Sequence, residues 1–137
     1  MEIEKIYDIM YKIRDRRENM YYTYMLRCED NSVYTGITTS VERRMNEHFS
    51  GGKMCAKYTL RHTPIKLEAV WRSENKSLAS KLEYAIKTLK KIEKEELIKN
   101  NRKFKQFLSE KVDCSQYKRE RGIANGEYTR IFNRDAE

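Results

Sequence analysis

Two short aromatic segments, separated by a polar tetrapeptide and feeding directly into a helix, confine Tyr22 to His48 to essentially one local arrangement. Tyr22 to Leu26 and Ser32 to Thr38 carry the β-branched and aromatic residues of strands, and Glu29-Asp30-Asn31-Ser32 between them is a cluster of turn formers. The pattern predicts an antiparallel hairpin with Tyr22, Tyr24 and Leu26 on one face. Gly36 lies inside the second strand, where a glycine marks a bulge or a close approach by another group. Thr39 and Glu42 have capping-box spacing and open a helix whose buried stripe is Val41, Met45 and Phe49. Arg44 and His48, four apart, share the margin of that stripe.

Before the hairpin, residues 2–18 place Ile3, Ile6, Tyr7, Met10 and Ile13 on one helical face. This amphipathic helix either docks on the domain or joins two copies weakly, so the expected state is a monomer or a weak homodimer. After the first core helix, Ser50-Gly51-Gly52-Lys53 breaks the chain. Lys53, Lys57, Tyr58, Arg61 and His62 then form a basic, aromatic loop suited to phosphates and to stacking. A third strand runs from Pro64 to Trp71, with Ile65, Leu67, Ala69 and Trp71 expected on one face. Ser77 to Ile98 reads as one long helix with Leu78, Leu82, Ala85, Ile86, Leu89 and Ile92 inward. Glu83 lies beside that stripe on the edge of Lys90, and Ser80 and Glu83 also have capping-box spacing. Phe104, Phe107, Leu108 and Val112 suggest a further short helix, and residues 115–137 read as loosely ordered.

The fold class is therefore α+β: a small three-stranded antiparallel sheet packed with helices, with added helical segments at both ends. The expected division is 1–20 for the N-terminal helix, 21–98 for the domain and 99–137 for a basic tail. A net charge of +8 favours polyanionic partners. The excess is uneven: residues 21–100 carry 15 basic against 10 acidic side chains, while residues 1–20 carry five of each. No apolar run has the length of a membrane span and no signal-peptide pattern opens the chain, so a cytoplasmic protein without membrane association is expected. Cys28, Cys55 and Cys114 are odd in number and widely separated, which predicts free thiols.

Tyr24 and Tyr34-Thr35-Gly36 resemble the two strand motifs of the GIY-YIG nucleases, with Tyr22-Thr23 in place of Gly-Ile and Thr35 in place of the central Ile. Arg44 and His48 match the arginine and histidine of the structure-specific branch, and Glu83 matches the metal-binding glutamate. The resemblance is closest to the small single-domain bacterial proteins and covers roughly Tyr21 to Ile98. It implies an endonuclease that hydrolyses phosphodiester bonds in DNA, with RNA left open, using Mg²⁺ or Mn²⁺ held by Glu83.

Arg44 would grip the scissile phosphate with a planar guanidinium. Tyr34 would be the general base or would position the nucleophile, supported by Tyr24, with His48 as the alternative base. Lys53, Lys57, Arg61, Lys87 and Lys90 are the expected nucleic-acid contacts. Each residue has a plainer reading: strand tyrosines that pack, a structural histidine, a capping or solvated glutamate. The competing function is a non-catalytic nucleic-acid-binding module that retains the fold.

Overall fold

The computed structural model describes residues 20–50 and 61–122. The N-terminal helix, Lys53, Lys57, Tyr58 and Cys55, and the chain beyond residue 122 lie outside the described residues. Strands β1 (Tyr21–Cys28) and β2 (Val33–Thr38) form the expected hairpin, in unbroken register from Tyr22 opposite Thr38 to Arg27 opposite Val33. Its turn closes with the Cys28 amide donating to the Ser32 carbonyl at 2.9 Å, and Asn31 supplies the left-handed residue at φ 69°. Asp30 accepts from the Ser32 amide at 3.1 Å, as an Asx turn does.

Strand β3 (Pro64–Ser73) pairs on the other side of β1, which places β1 in the middle of the sheet. The expected single-faced alternation of β3 fails at Glu68. Leu67 stands opposite Leu26 and Ala69 opposite Met25, so Glu68 is an extra residue in a β-bulge. Consequently Leu67 packs with Tyr24, Leu26 and Met45, whereas Ala69 and Trp71 pack on the opposite face. The bulged carboxylate is held by Arg27 at 3.0 Å, and Arg27 also pairs with Glu95.

Among the described residues four α-helices cover the two faces. Helix α1 (Val41–Ser50) buries Val41 and Met45 against the Tyr24 face. Its cap is Ser40, whose hydroxyl accepts from the Arg43 amide at 3.3 Å, instead of the Thr39–Glu42 box. Helices α2 (Lys76–Lys87), α3 (Lys91–Lys99) and α4 (Lys103–Leu108) cover the other face.

The single helix expected over Ser77–Ile98 is thus two. Asn75 caps α2 by accepting from the Leu78 amide at 2.8 Å. The break follows Lys87: Leu89 turns into the core, and Glu93 reaches back to accept from the Lys90 amide at 2.9 Å, which starts α3. The change of phase leaves Ile92 exposed and turns Leu97 inward.

The sheet has four strands, in the order β2-β1-β3-β4, instead of the expected three. Lys118 and Arg119 form β4 opposite Arg72 and Trp71. A two-residue strand holds because Arg119 anchors it. Its guanidinium lies 4.9 Å from the Trp71 ring centre and donates to the Ile98 carbonyl at 3.2 Å, at the end of α3. Phe104, Leu108 and Val112 belong to the same core as Met25, Trp71 and Leu82. Among the described residues no helix is long and apolar enough to cross a membrane.

The packing beyond residue 98 decides what can fold alone. A fragment spanning 20–122 is expected to unfold cooperatively on heating, and one ending at residue 98 to lose that transition. A cooperative melt from the shorter fragment would show that Phe104, Val112 and Arg119 are dispensable.

Candidate active site

Alternation along β1 and β2 brings Tyr24, Tyr34 and Gly36 to the sheet face that α1 covers. Tyr24 stands directly opposite Gly36, and its ring lies across that glycine. A Cβ at position 36 would stand 2.5 Å from the Tyr24 hydroxyl and 2.7 Å from the ring carbon that bears it. The glycine is therefore a close approach, by a side chain, and the β1–β2 register continues through it without a bulge. The Tyr24 hydroxyl then meets His48 Nε2 at 2.7 Å.

The three rings form a closed set. Centre-to-centre distances are 6.1 Å for Tyr24–Tyr34, 5.6 Å for Tyr24–His48 and 5.5 Å for Tyr34–His48. Tyr24 and His48 are sealed from solvent, at 0% and 1% exposure, while Tyr34 is half-buried. Arg44, one turn before His48, stands at the margin of the set and pairs with Glu47 at 3.3 Å.

Burial sets the protonation of this group. It pushes the Tyr24 phenol well above the ordinary tyrosine range, and the neighbouring Tyr34 adds to the rise, against the pull of the Arg44 guanidinium. Burial, and then Arg44, push His48 down to about 4. Near neutrality, then, Tyr24 keeps its proton, His48 is a neutral ring, and the two are joined by one hydrogen bond through Nε2. Unfolded, the histidine takes up a proton near pH 6.5; folded, it resists until about pH 4. The stabilisation is fully present above pH 6.5 and is lost as pH falls towards 4, and its size is roughly 3 kcal/mol.

Glu83 is placed differently from these four. It lies in the middle of α2, in the layer behind the sheet, with its side chain 25% exposed and 3.5 Å from Lys87. Because Asn75 is the cap, the capping role read from Ser80 and Glu83 does not apply. Among the described residues Glu83 makes no hydrogen bond or ion pair to the ring set. Helical periodicity nonetheless lines up Lys76, Ser80, Glu83 and Lys87 along one stripe of α2, and Lys76 shares a cleft with Arg44. Glu83 follows Lys76 by two turns, roughly 10 Å along that stripe.

No group of three or more His, Cys, Asp or Glu side chains suited to a metal occurs among the described residues. A lone carboxylate whose partner is an exposed lysine fits a different arrangement. Mg²⁺ or Mn²⁺ would be held jointly with a substrate phosphate and retained waters. Of the expected cationic contacts, Lys87 pairs with Glu83, the Lys90 amide caps α3, and Arg61 is exposed just before β3. Sequence reading did not single out Arg43 or Lys76, which with Arg44 line the cleft beside the rings. Their only signal was a basic residue next to Arg44 and another at the start of α2.

A glycine under a tyrosine ring, a buried tyrosine–histidine bond and a flanking arginine thus stand together on one sheet face, and the chain belongs to the GIY-YIG family, whose catalytic domain matches residues 20–106. The resemblance carried by Tyr24, Tyr34, Gly36, Arg44 and His48 is borne out at that level. The chain is similar to the UPF0213 protein of Natronomonas pharaonis, 45% identical over 78 residues that cover 57% of this chain and 89% of the relative. The UPF0213 protein of Halalkalibacterium halodurans is 44% identical over 78 residues, 57% of this chain and 81% of its own. A solution NMR structure of the UPF0213 protein from Bacillus halodurans is 42% identical, covers 58% of this chain and 83% of its own, and superposes with a TM-score of 0.39.

The contact at Gly36 yields a direct test. Gly36→Ala is expected to displace the Tyr24 hydroxyl and destabilise the fold by about 1–3 kcal/mol, the usual cost of overpacking. Chemical denaturation measures this, and an unchanged midpoint would mean that the ring does not rest on Gly36.

Proposed function

We propose that this chain is a divalent-metal-dependent endonuclease that hydrolyses phosphodiester bonds in DNA. The observation that carries the reading is the convergence of two phenols, a neutral histidine and a guanidinium on one margin of the sheet. Their environments differ in a way that separates their tasks. Tyr24 is fully buried, held protonated and hydrogen-bonded to His48, so its work is orientation.

Tyr34, half-buried on the same face, is the phenol open to substrate, and it aligns the attacking water or, in its ionised form, takes that water's proton. His48 is too deeply buried to meet substrate and fixes Tyr24 from behind. Arg44 binds the phosphate and opposes the charge that builds on it during attack. Glu83 would hold Mg²⁺ or Mn²⁺, which when bound would supply Lewis-acid stabilisation of charge on the departing oxygen. Arg61, Lys87 and Lys90, with Lys53 and Lys57, add phosphate contacts along the strand.

A cleavage screen on linear, branched, flapped and single-stranded DNA with Mg²⁺ or Mn²⁺ tests this reading. Wild-type protein is expected to cut at least one substrate. Arg44→Ala should lower the rate by about a hundredfold to a thousandfold. Glu83→Gln should lower it on the order of a thousandfold while leaving DNA binding intact. Binding without cleavage, unchanged by Glu83→Gln, would leave a non-catalytic binding module in place of the enzyme.

A further inference from the structure

An open cleft of about 840 Å³ lies beside the ring set, between α1 and the first turn of α2. Tyr21, Thr39, Arg43, Arg44, Glu47 and Lys76 are among its walls, so three cations face it against one carboxylate. Its cations come from both layers, Arg43 and Arg44 from α1 and Lys76 from α2. Glu47 pairs with both arginines, at 3.6 Å from Arg43 and 3.3 Å from Arg44, and Arg43 also donates to Thr39 Oγ1 at 3.1 Å. Arg44 belongs to both the cleft and the candidate active site. An occupant of the cleft is therefore continuous with whatever Arg44 holds.

We propose that this cleft is a subsite for the nucleotide adjoining the scissile phosphate, with Arg43 and Lys76 contacting neighbouring backbone phosphates and Tyr21 offering its ring to a base. The proposal rests on the nuclease reading and adds the path of the strand to it. The volume suits a small-ligand site, so it takes a nucleotide or two of one strand and not a turn of duplex. Arginine and lysine on opposite walls serve a phosphodiester chain that passes between them, because each contact releases counterions. An aromatic ring accepts any base on its face, which gives affinity without sequence preference.

The test is fluorescence anisotropy of a labelled oligothymidylate in EDTA, so that nothing is cut, over a series of salt concentrations. Arg43→Gln and Lys76→Gln are each expected to lower the slope of log affinity against log salt by roughly 0.7, the share of one phosphate contact on a single strand. Tyr21→Leu is expected to weaken binding about tenfold at each salt concentration with the slope kept. Lys105→Gln, on α4 outside the cleft, should match wild type. Arg43 is 63% exposed and Lys76 is exposed, so neither charge removal is expected to disturb folding, and thermal melts of the variants check it. If wild type binds and cuts while the three cleft variants keep its affinity and slope, the subsite is overturned and the nuclease reading stands. A wild type that neither binds nor cuts any nucleic acid overturns both.

Discussion

The hydrogen bond between the Tyr24 hydroxyl and His48 Nε2 ties the hairpin to the helix that follows it, and the candidate site depends on that tie. Two conditions make it possible. Gly36 leaves room for the phenol to cross the neighbouring strand, and Ser40 caps α1, the helix that carries His48 to it. The bond satisfies both buried polar groups, and a donor or acceptor left alone there would cost about 1–3 kcal/mol. It also fixes where the neighbouring groups can be. Tyr34 and Arg44 stand beside the pair, at its margin, and both interact with the Tyr24 hydroxyl.

The sheet is covered on both faces, which explains how one small domain holds a reactive edge without losing its core. On one face Tyr24, Leu26, Met45, Leu67 and Val70 pack under α1; on the other Met25, Ala69, Trp71, Leu82 and Leu97 pack under α2 and α3. The bulge at Glu68 is what allows β3 to feed both cores, and the Arg27 ion pairs secure it. Strand β2 is at the edge of the sheet, so Arg44 from α1 and Lys76 from α2 can meet across one cleft. Glu83 shares the stripe of Lys76, two turns further along α2.

Much of this was legible in the sequence where the signal is local. The hairpin, its Asp-Asn turn and the four-residue spacing of Arg44 and His48 follow from short-range chemistry, and the structure keeps them. What failed was set by packing between distant segments. The bulge at Glu68 depends on Arg27 and Glu95, far away in sequence, so simple alternation placed Leu67 and Ala69 on one face in error. The break after Lys87 contains no proline or glycine, and the apolar stripe continues through it to Leu89, so nothing local marked it. Strand β4 has two charged residues and no strand signature, and only Trp71 and the end of α3 make Arg119 an anchor. At the site, Tyr24, Tyr34, Arg44 and His48 could be grouped by family pattern, but Arg43 and Lys76 required the fold.

The most direct measurement is a pH titration of His48 by heteronuclear NMR, which reports both the tautomer and the protonation of its ring. A ring that stays neutral down to about pH 4, with Nε2 engaged in a hydrogen bond and a single tautomer populated, is expected. In Tyr24→Phe the Nε2 resonance should lose its hydrogen-bond shift. A His48 that titrates near pH 6.5 with both nitrogens averaging freely would contradict the buried bond and the division of roles built on it.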